Sequence, residues 1–219
     1  IDVSADIIED WLGGEDGFVW PENPTPVVLS HDIDTPEGLK NLVDMFLPEE
    51  EQVNARSVNY VVPRAWPVDH DLVRGVQARG HEIGVHGYDH NGTTSYAGSN
   101  ERARRLDEAL KDFQAYDCKG YRSPSLIRSR ELLVDLSSRY RYDSSIPTSG
   151  GLFPKPFNGC GSVRPFTLDG ITEIPISMPR DANLLFHGRS PQKILETWIA
   201  SAKIIARARG VVMLLTHCE

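Results

Sequence analysis

Short apolar runs alternate along the chain with longer segments of helical period. Residues 27–34, "VVLSHDID", begin as a buried strand and end in acids. Residues 57–62 are strand-like and stop at Pro63. Residues 81–87, 118–124 and 140–146 are shorter candidates, residues 172–177 alternate cleanly, and residues 211–217, "VVMLLTH", are the most apolar strand of all. Segments 37–47, 69–79, 100–116, 130–139 and 191–209 carry the helical pattern. Asp69 and Ser129 suit N-caps, Pro191 a first turn, and Gly80 and Gly210 C-terminal caps. The stretch 147–170 is rich in Pro and Gly and predicts a long loop. There is no repeat and no linker, so residues 1–219 are expected to form a single domain. Strands alternating mostly with helices predict parallel β-α-β units, in a closed or distorted barrel or an open doubly wound sheet. No glycine-rich fingerprint follows the first strand, which weakens a nucleotide-binding version.

Composition narrows the partners. A chain of 219 residues buries enough surface to need no staples. Its net charge of -8 and pI near 5.4 argue against nucleic acid or an anionic membrane surface. No apolar run is long enough to span a bilayer. The three cysteines, Cys118, Cys160 and Cys218, are odd in number and lack CxxC spacing, which fits a reducing compartment. A cytoplasmic location is therefore expected. A secreted or periplasmic one stays open, because Ile1 is not a natural start. The sequence does not indicate an oligomeric state.

The polar residues fall in a pattern. Asp32 and Asp34 end the first strand and, two apart, face one side. His86 and His90 end the third strand, Arg122-Ser123-Pro124 the fourth, and His217 the last; Asp143-Ser144-Ser145 lies on the fifth. These are carboxyl ends of parallel strands, the rim on which barrel enzymes build active sites. Singly, each has a plain reading: two unrelated histidines, a cap, a turn. Together, two imidazoles and one carboxylate make a three-ligand site with an open position, the usual form of catalytic zinc. A second carboxylate could take a proton from water, Arg122 could hold that carboxylate ionised, and His217 could protonate a leaving group. The pattern points to metal-assisted hydrolysis of an amide or ester. His31, His70 and His187 are expected to be structural or solvated. Cys218 should face away from His217, which argues against a thiol nucleophile.

In this motif order the sequence resembles the polysaccharide deacetylase family, carbohydrate esterase family four, from about Val27 to His217. "LSHDIDTPEG" is similar to the first motif, "HEIGVHGYDH" to the second, "GYRSP" to the third and "LLTH" to the last; "RYDSS" recurs in bacterial members. The resemblance implies that Asp32 is the base, that Asp34, His86 and His90 hold a divalent metal, and that Arg122 orients the base. It implies that His217 is the general acid and that Leu215 lines an acetyl pocket beside Pro124 and Ser125, whose N–H could be an oxyanion donor. Zinc is expected, with cobalt, nickel and manganese also fitting. The implied fold is an α/β distorted (β/α) barrel with about seven parallel strands. The implied reaction removes an N-acetyl group from an amino sugar of a polysaccharide or glycan precursor, with an N-acetylated carbohydrate as the expected partner. Alternatives are a deformylase or cyclic-amide hydrolase on the same scaffold, and a catalytically inactive carbohydrate-binding relative. The sequence departs from the family at Gly87, where Ser or Thr is usual and a loop hydrogen bond is lost, and at Ser125, where tyrosine is frequent. Three acids, Asp143, Glu173 and Asp181, are open as the partner of His217. A closing helix is expected beyond His217, so truncation or disorder is expected there.

Overall fold

The computed structural model describes residues 25–149 and 159–219. Their centre is one eight-stranded sheet. Strand β1 (Val27–Ile33) leads through a helical stretch to β2 (Ser57–Val61). That stretch holds α1 (Pro36–Asn41), a π-helical turn (Leu42–Phe46) and α2 (Leu47–Gln52), and runs five residues beyond the expected end at Leu47. Then follow α3 (His70–Ala78), β3 (Glu82–His86), α4 (Ser99–Asp112), β4 (Gly120–Arg122), α5 (Arg130–Ser137), β5 (Tyr142–Asp143), β6 (Phe166–Leu168), β7 (Ile171–Glu173), α6 (Asp181–Phe186), α7 (Pro191–Arg207) and β8 (Val212–His217).

The helix starts are set by side-chain caps. Asp69 accepts hydrogen bonds from the N–H groups of Asp71 and Leu72, and Ser129 from Leu132. Thr35 and Ser190 cap α1 and α7 in the same way, each followed by proline in the first turn. Gly80 ends α3 in the left-handed conformation its C-terminal turn requires, at φ 86°. After α7 that conformation falls on Arg209, at φ 53°, and not on Gly210 as the sequence suggests.

The strand order is β6-β7-β5-β4-β3-β2-β1-β8. Seven strands are parallel, and β6 alone runs antiparallel, on β7. From β5 to β1 neighbours follow chain order, without the reversal at mid-sheet that defines a doubly wound fold. The sheet is curled into a half-barrel, with β6 and β8 as unjoined edges. Two features depart from the sequence expectation. A strand, β6, lies within the stretch 147–170 expected to be loop; residues 150–158 of that stretch lie outside the described residues. And β7 stops at Glu173: Pro175 lacks the N–H a strand needs, and the chain continues through a single bridge between Pro147 and Ile176.

The main core lies between the sheet and its helices, where Ile33, Val61, Ile83, Val85 and Tyr121 meet Leu39, Leu47, Val76, Phe113 and Leu132. Alternation along the strands decides what faces the other way. On β1, His31 and Ile33 point toward the helices while Ser30 and Asp32 point into the curl. Tyr60 and Arg122 also face inward, with the guanidinium carbon 4.0 Å from the ring centroid. Among the described residues no helix is long and apolar enough to cross a membrane.

Candidate active site

Parallel pairing puts the ends of β8, β1, β2, β3 and β4 on one rim. Asp32 is in register with Tyr60 on one side and His217 on the other, and His86 with Arg122. At this rim Asp34, His86 and His90 come together. Each offers a donor atom, and the three atoms lie within 4.8 Å of one another. Nε2 of His86 is 3.4 Å, and Nε2 of His90 3.2 Å, from the same atom, Oδ1 of Asp34.

The hydrogen bonds determine which lone pairs are free. Nδ1 of His86 lies 3.0 Å from the carbonyl oxygen of Arg122. A carbonyl only accepts, so Nδ1 carries the proton and the Nε2 lone pair is left facing Asp34. Such a backing partner fixes both tautomer and ring orientation in metal-binding histidines. Oδ1 of Asp34 is buried and has no hydrogen-bond partner. A buried carboxylate oxygen without a donor is costly, and a cation between it and the two imidazoles would satisfy it. The donor set, two nitrogens and one oxygen, suits zinc or a neighbouring transition metal. Burial lowers the His86 pKa, with Asp32 and Asp34 opposing, and keeps the imidazole neutral; the nearby Asp34 carboxylate raises that of His90. His90 adopts φ 62°, a left-handed conformation that non-glycine residues hold only where the surroundings impose it.

Asp32 sits beside this cluster with its side chain 5% exposed; its Oδ2 is 3.6 Å from Nε2 of His86, and its Oδ1 accepts from Nη1 of Arg122 at 2.7 Å. Burial alone would raise the Asp32 pKa. The Arg122 charge, the His86 imidazole and the Arg122 hydrogen bond outweigh it and hold the carboxyl below its ordinary value. Arg122 is itself fully buried. Its Nε donates to the Ser144 carbonyl at 2.9 Å, and its Nη2 to the hydroxyls of Ser30 at 3.0 Å and Ser144 at 3.1 Å. Ser144 stands out in the sequence only as part of the Asp143-Ser144-Ser145 run, with no role attached, and Ser30 not at all, because a hydroxyl that holds an arginine carries no spacing signal.

His217 stands across the rim with its side chain 32% exposed. Its Nδ1–H donates to Asp181 at 3.0 Å, and its backbone N–H donates to the same carboxylate at 2.6 Å. The Asp181 hydrogen bond, against the effect of burial, raises the His217 pKa to about 9, with Asp32 adding to the rise. This answers the question of the three acids. Asp143 accepts from the Ser145 hydroxyl at 2.7 Å, Glu173 accepts from the Ile146 N–H at 2.9 Å, and the two interact with each other, far enough inside that burial raises both. That pair serves the scaffold: the Ser145 hydroxyl receives the Ser123 N–H at 2.8 Å and so fixes the turn after Arg122.

That turn is strained. Ser125 and Leu126 are consecutive left-handed residues, at φ 53° and 58°. Pro124 is buried against Gly87, Ser125 is exposed, and Leu126 joins Leu215 and Ile176 in a small apolar cluster under the rim. Gly87 has a steric reason for its departure from the family pattern. It sits at φ 70°, and a Cβ there would lie 2.5 Å from Cδ of Pro124. The expected site residues Asp32, Asp34, His86, His90, Arg122 and His217 thus converge, with Pro124, Ser125 and Leu215 at their margin. Cys218 points away into the core, and burial raises its thiol pKa. His31 is buried on the helix side of the sheet, while His70 and His187 are exposed.

The family model described as polysaccharide deacetylase matches residues 21–142. No curated protein matches the chain. A candidate polysaccharide deacetylase from Mycobacterium smegmatis superposes with a TM-score of 0.70 at 18% identity, covering 92% of this chain and 80% of that one. The chitin deacetylase of the fungal pathogen Colletotrichum lindemuthianum gives 0.57 at 18% identity, over 90% of this chain and 75% of that one. A CE4-family pseudoenzyme from Bacillus anthracis gives 0.60 at 12% identity, over 90% of this chain and 56% of that one. At such identities the likeness is one of fold.

Proposed function

The chain belongs to the polysaccharide deacetylase family, and from that premise we propose that it is a metal-dependent hydrolase that removes the N-acetyl group from an amino sugar of a glycan or glycan precursor. The observation that carries this reading is the buried, unpartnered Oδ1 of Asp34 between two imidazoles whose Nε2 atoms face it.

Asp34, His86 and His90 would hold a divalent cation, zinc first, with cobalt, nickel or manganese also fitting. When bound, it supplies Lewis acidity toward the acetamide carbonyl and toward water. Asp32, kept ionised by Arg122, accepts the proton of the attacking water. The acetyl methyl lies against Leu215 near Pro124, and the Ser125 N–H donates to the oxyanion as the carbonyl becomes tetrahedral. His217, charged at neutral pH through Asp181, delivers a proton to the departing amine. An intact base and acid favour an enzyme over an inactive carbohydrate-binding relative, because binding alone needs neither.

The test is acetate release from N-acetylglucosamine oligomers by the purified protein, loaded in turn with zinc, cobalt, nickel or manganese. Release should stop with a chelator and return when metal is restored. Parallel assays on an N-formyl sugar and on cyclic amides address the rival hydrolases. Faster turnover of either, with no acetate released, would overturn the deacetylase reading.

A further inference from the structure

Two arginines lie near Asp32, and they differ. Arg122 has four hydrogen-bond acceptors around it. Arg180 is half-buried and has no hydrogen bond or ion pair among the described residues. It is nonetheless held at the site. Met178 N–H donates to the carbonyl of Met213 on β8 at 3.1 Å, the Trp198 indole donates to the Pro179 carbonyl at 2.7 Å, and Asp181 is bonded to His217. The backbone on both sides of Arg180 is therefore fixed along β8 and beside the general acid. Its guanidinium lies within electrostatic reach of Asp32 and Asp181, and burial lowers its pKa against their pull.

Both of those carboxylates are engaged elsewhere, Asp32 by Arg122 and Asp181 by His217. Half-buried and without an acceptor from the described residues, the guanidinium keeps its N–H donors open to a ligand. Its planar fork matches the two oxygens of a carboxylate or phosphate. The overall charge of -8 repels anions at long range, so a preference for an anionic ligand needs a local cation of this kind.

We propose that Arg180 binds an anionic substituent, a carboxylate or phosphate, on the acetylated sugar, and thereby makes the site selective for anionic over neutral glycans. The sugar identity rests on the deacetylase reading; the anion site does not. Arg180 would touch the substrate without taking part in proton transfer.

The test is ligand-observed NMR titration of the metal-loaded protein with three probes: N-acetylglucosamine, N-acetylmuramic acid, which adds a carboxylate, and N-acetylglucosamine 6-phosphate. The wild type should bind one of the anionic probes about tenfold more tightly than the neutral one, a difference that shrinks as salt is added. Which probe it is separates carboxylate from phosphate. Arg180→Gln should abolish the difference, and Arg180→Lys, which keeps charge without the fork, should retain part of it. Equal affinity for all three probes, no binding of any, or a preference unchanged in Arg180→Gln would overturn the proposal. Acetate release is followed in the same samples. A preference that vanishes with Arg180→Gln while no acetate is released leaves the anion site standing and removes the deacetylase reading.

Discussion

Two clusters of histidine and carboxylate lie on opposite faces of the same strands. On the helix side, His31 bonds Thr216 and Glu50, each at 2.7 Å. His81 receives the Ser57 N–H on Nδ1 at 3.1 Å and reaches Glu51 through Nε2 at 3.3 Å. Every imidazole nitrogen there has a partner. Oε2 of Glu50 lacks one, but the nearby Nδ1 of His81, at 3.6 Å, has its lone pair occupied by Ser57. On the inner face, the Nε2 atoms of His86 and His90 converge on Asp34, and the buried oxygen they share has no other partner. The number of histidines and acids hardly differs. What separates a candidate metal site from a structural knot is the number of nitrogen lone pairs left facing a carboxylate.

The comparison can be broken by exchanging the expected losses. The largest effect belongs to Asp34→Ala, which should weaken metal binding by more than about 100-fold, beyond what loss of a backing partner costs. Glu50→Gln on the other face should leave metal stoichiometry at the wild-type value. Elemental analysis of both variants, purified alike, decides; metal lost equally from both would erase the distinction.

Next come the proton carriers. Asp32→Asn and His217→Ala should each keep the metal and lower turnover on an N-acetyl sugar by ~10²–10⁴. For His217→Ala the loss should be smaller on an aryl acetate, whose leaving group departs without a proton. Equal losses on the two substrates would assign His217 to binding or structure instead.

A smaller effect is expected for Glu50→Gln in thermal unfolding. Weakening the bond to His31 should cost about 1–3 kcal/mol, with activity retained in the folded fraction. Full activity loss at unchanged stability would mean that the outer cluster also takes part in the chemistry.

Smallest is the change on the Asp181 side. The folded pKa of His217, about 9, lies above the ordinary value of 6.5, so the pair with Asp181 stabilises the fold fully below pH 6.5 and loses that contribution as pH rises through about 9. Asp181→Asn should move the His217 titration, followed by NMR in the metal-free protein, down toward 6.5. An unmoved titration would show that another group raises it.

Much of this was legible in the residues. The long strands β1, β2 and β8 declare themselves by continuous apolar runs, and Asp69, Ser129 and Pro191 mark helix starts by their own chemistry. The residues proposed to hold metal and to carry protons were legible because each lies at or just beyond the carboxyl end of a strand. The His217 partner was not. Asp143 and Glu173 lie on short strands whose facing depends on the break at Pro175, and Asp181 reaches His217 only because residues 174–181 run alongside β8. β6 was hidden for a similar reason: a three-residue edge strand between turn residues has too few positions to show a period.

Gly87 carries a consequence for anyone recombining such proteins. Its missing side chain makes room for Pro124, so the loop bearing His90 and the loop bearing Ser125 fit each other like a matched lock plate and bolt. A chimera that takes the first loop from a homologue with serine at this position, and keeps the second from this chain, would bring a Cβ into the proline ring and dislodge both. The two loops are one unit of inheritance, to be exchanged together or left alone.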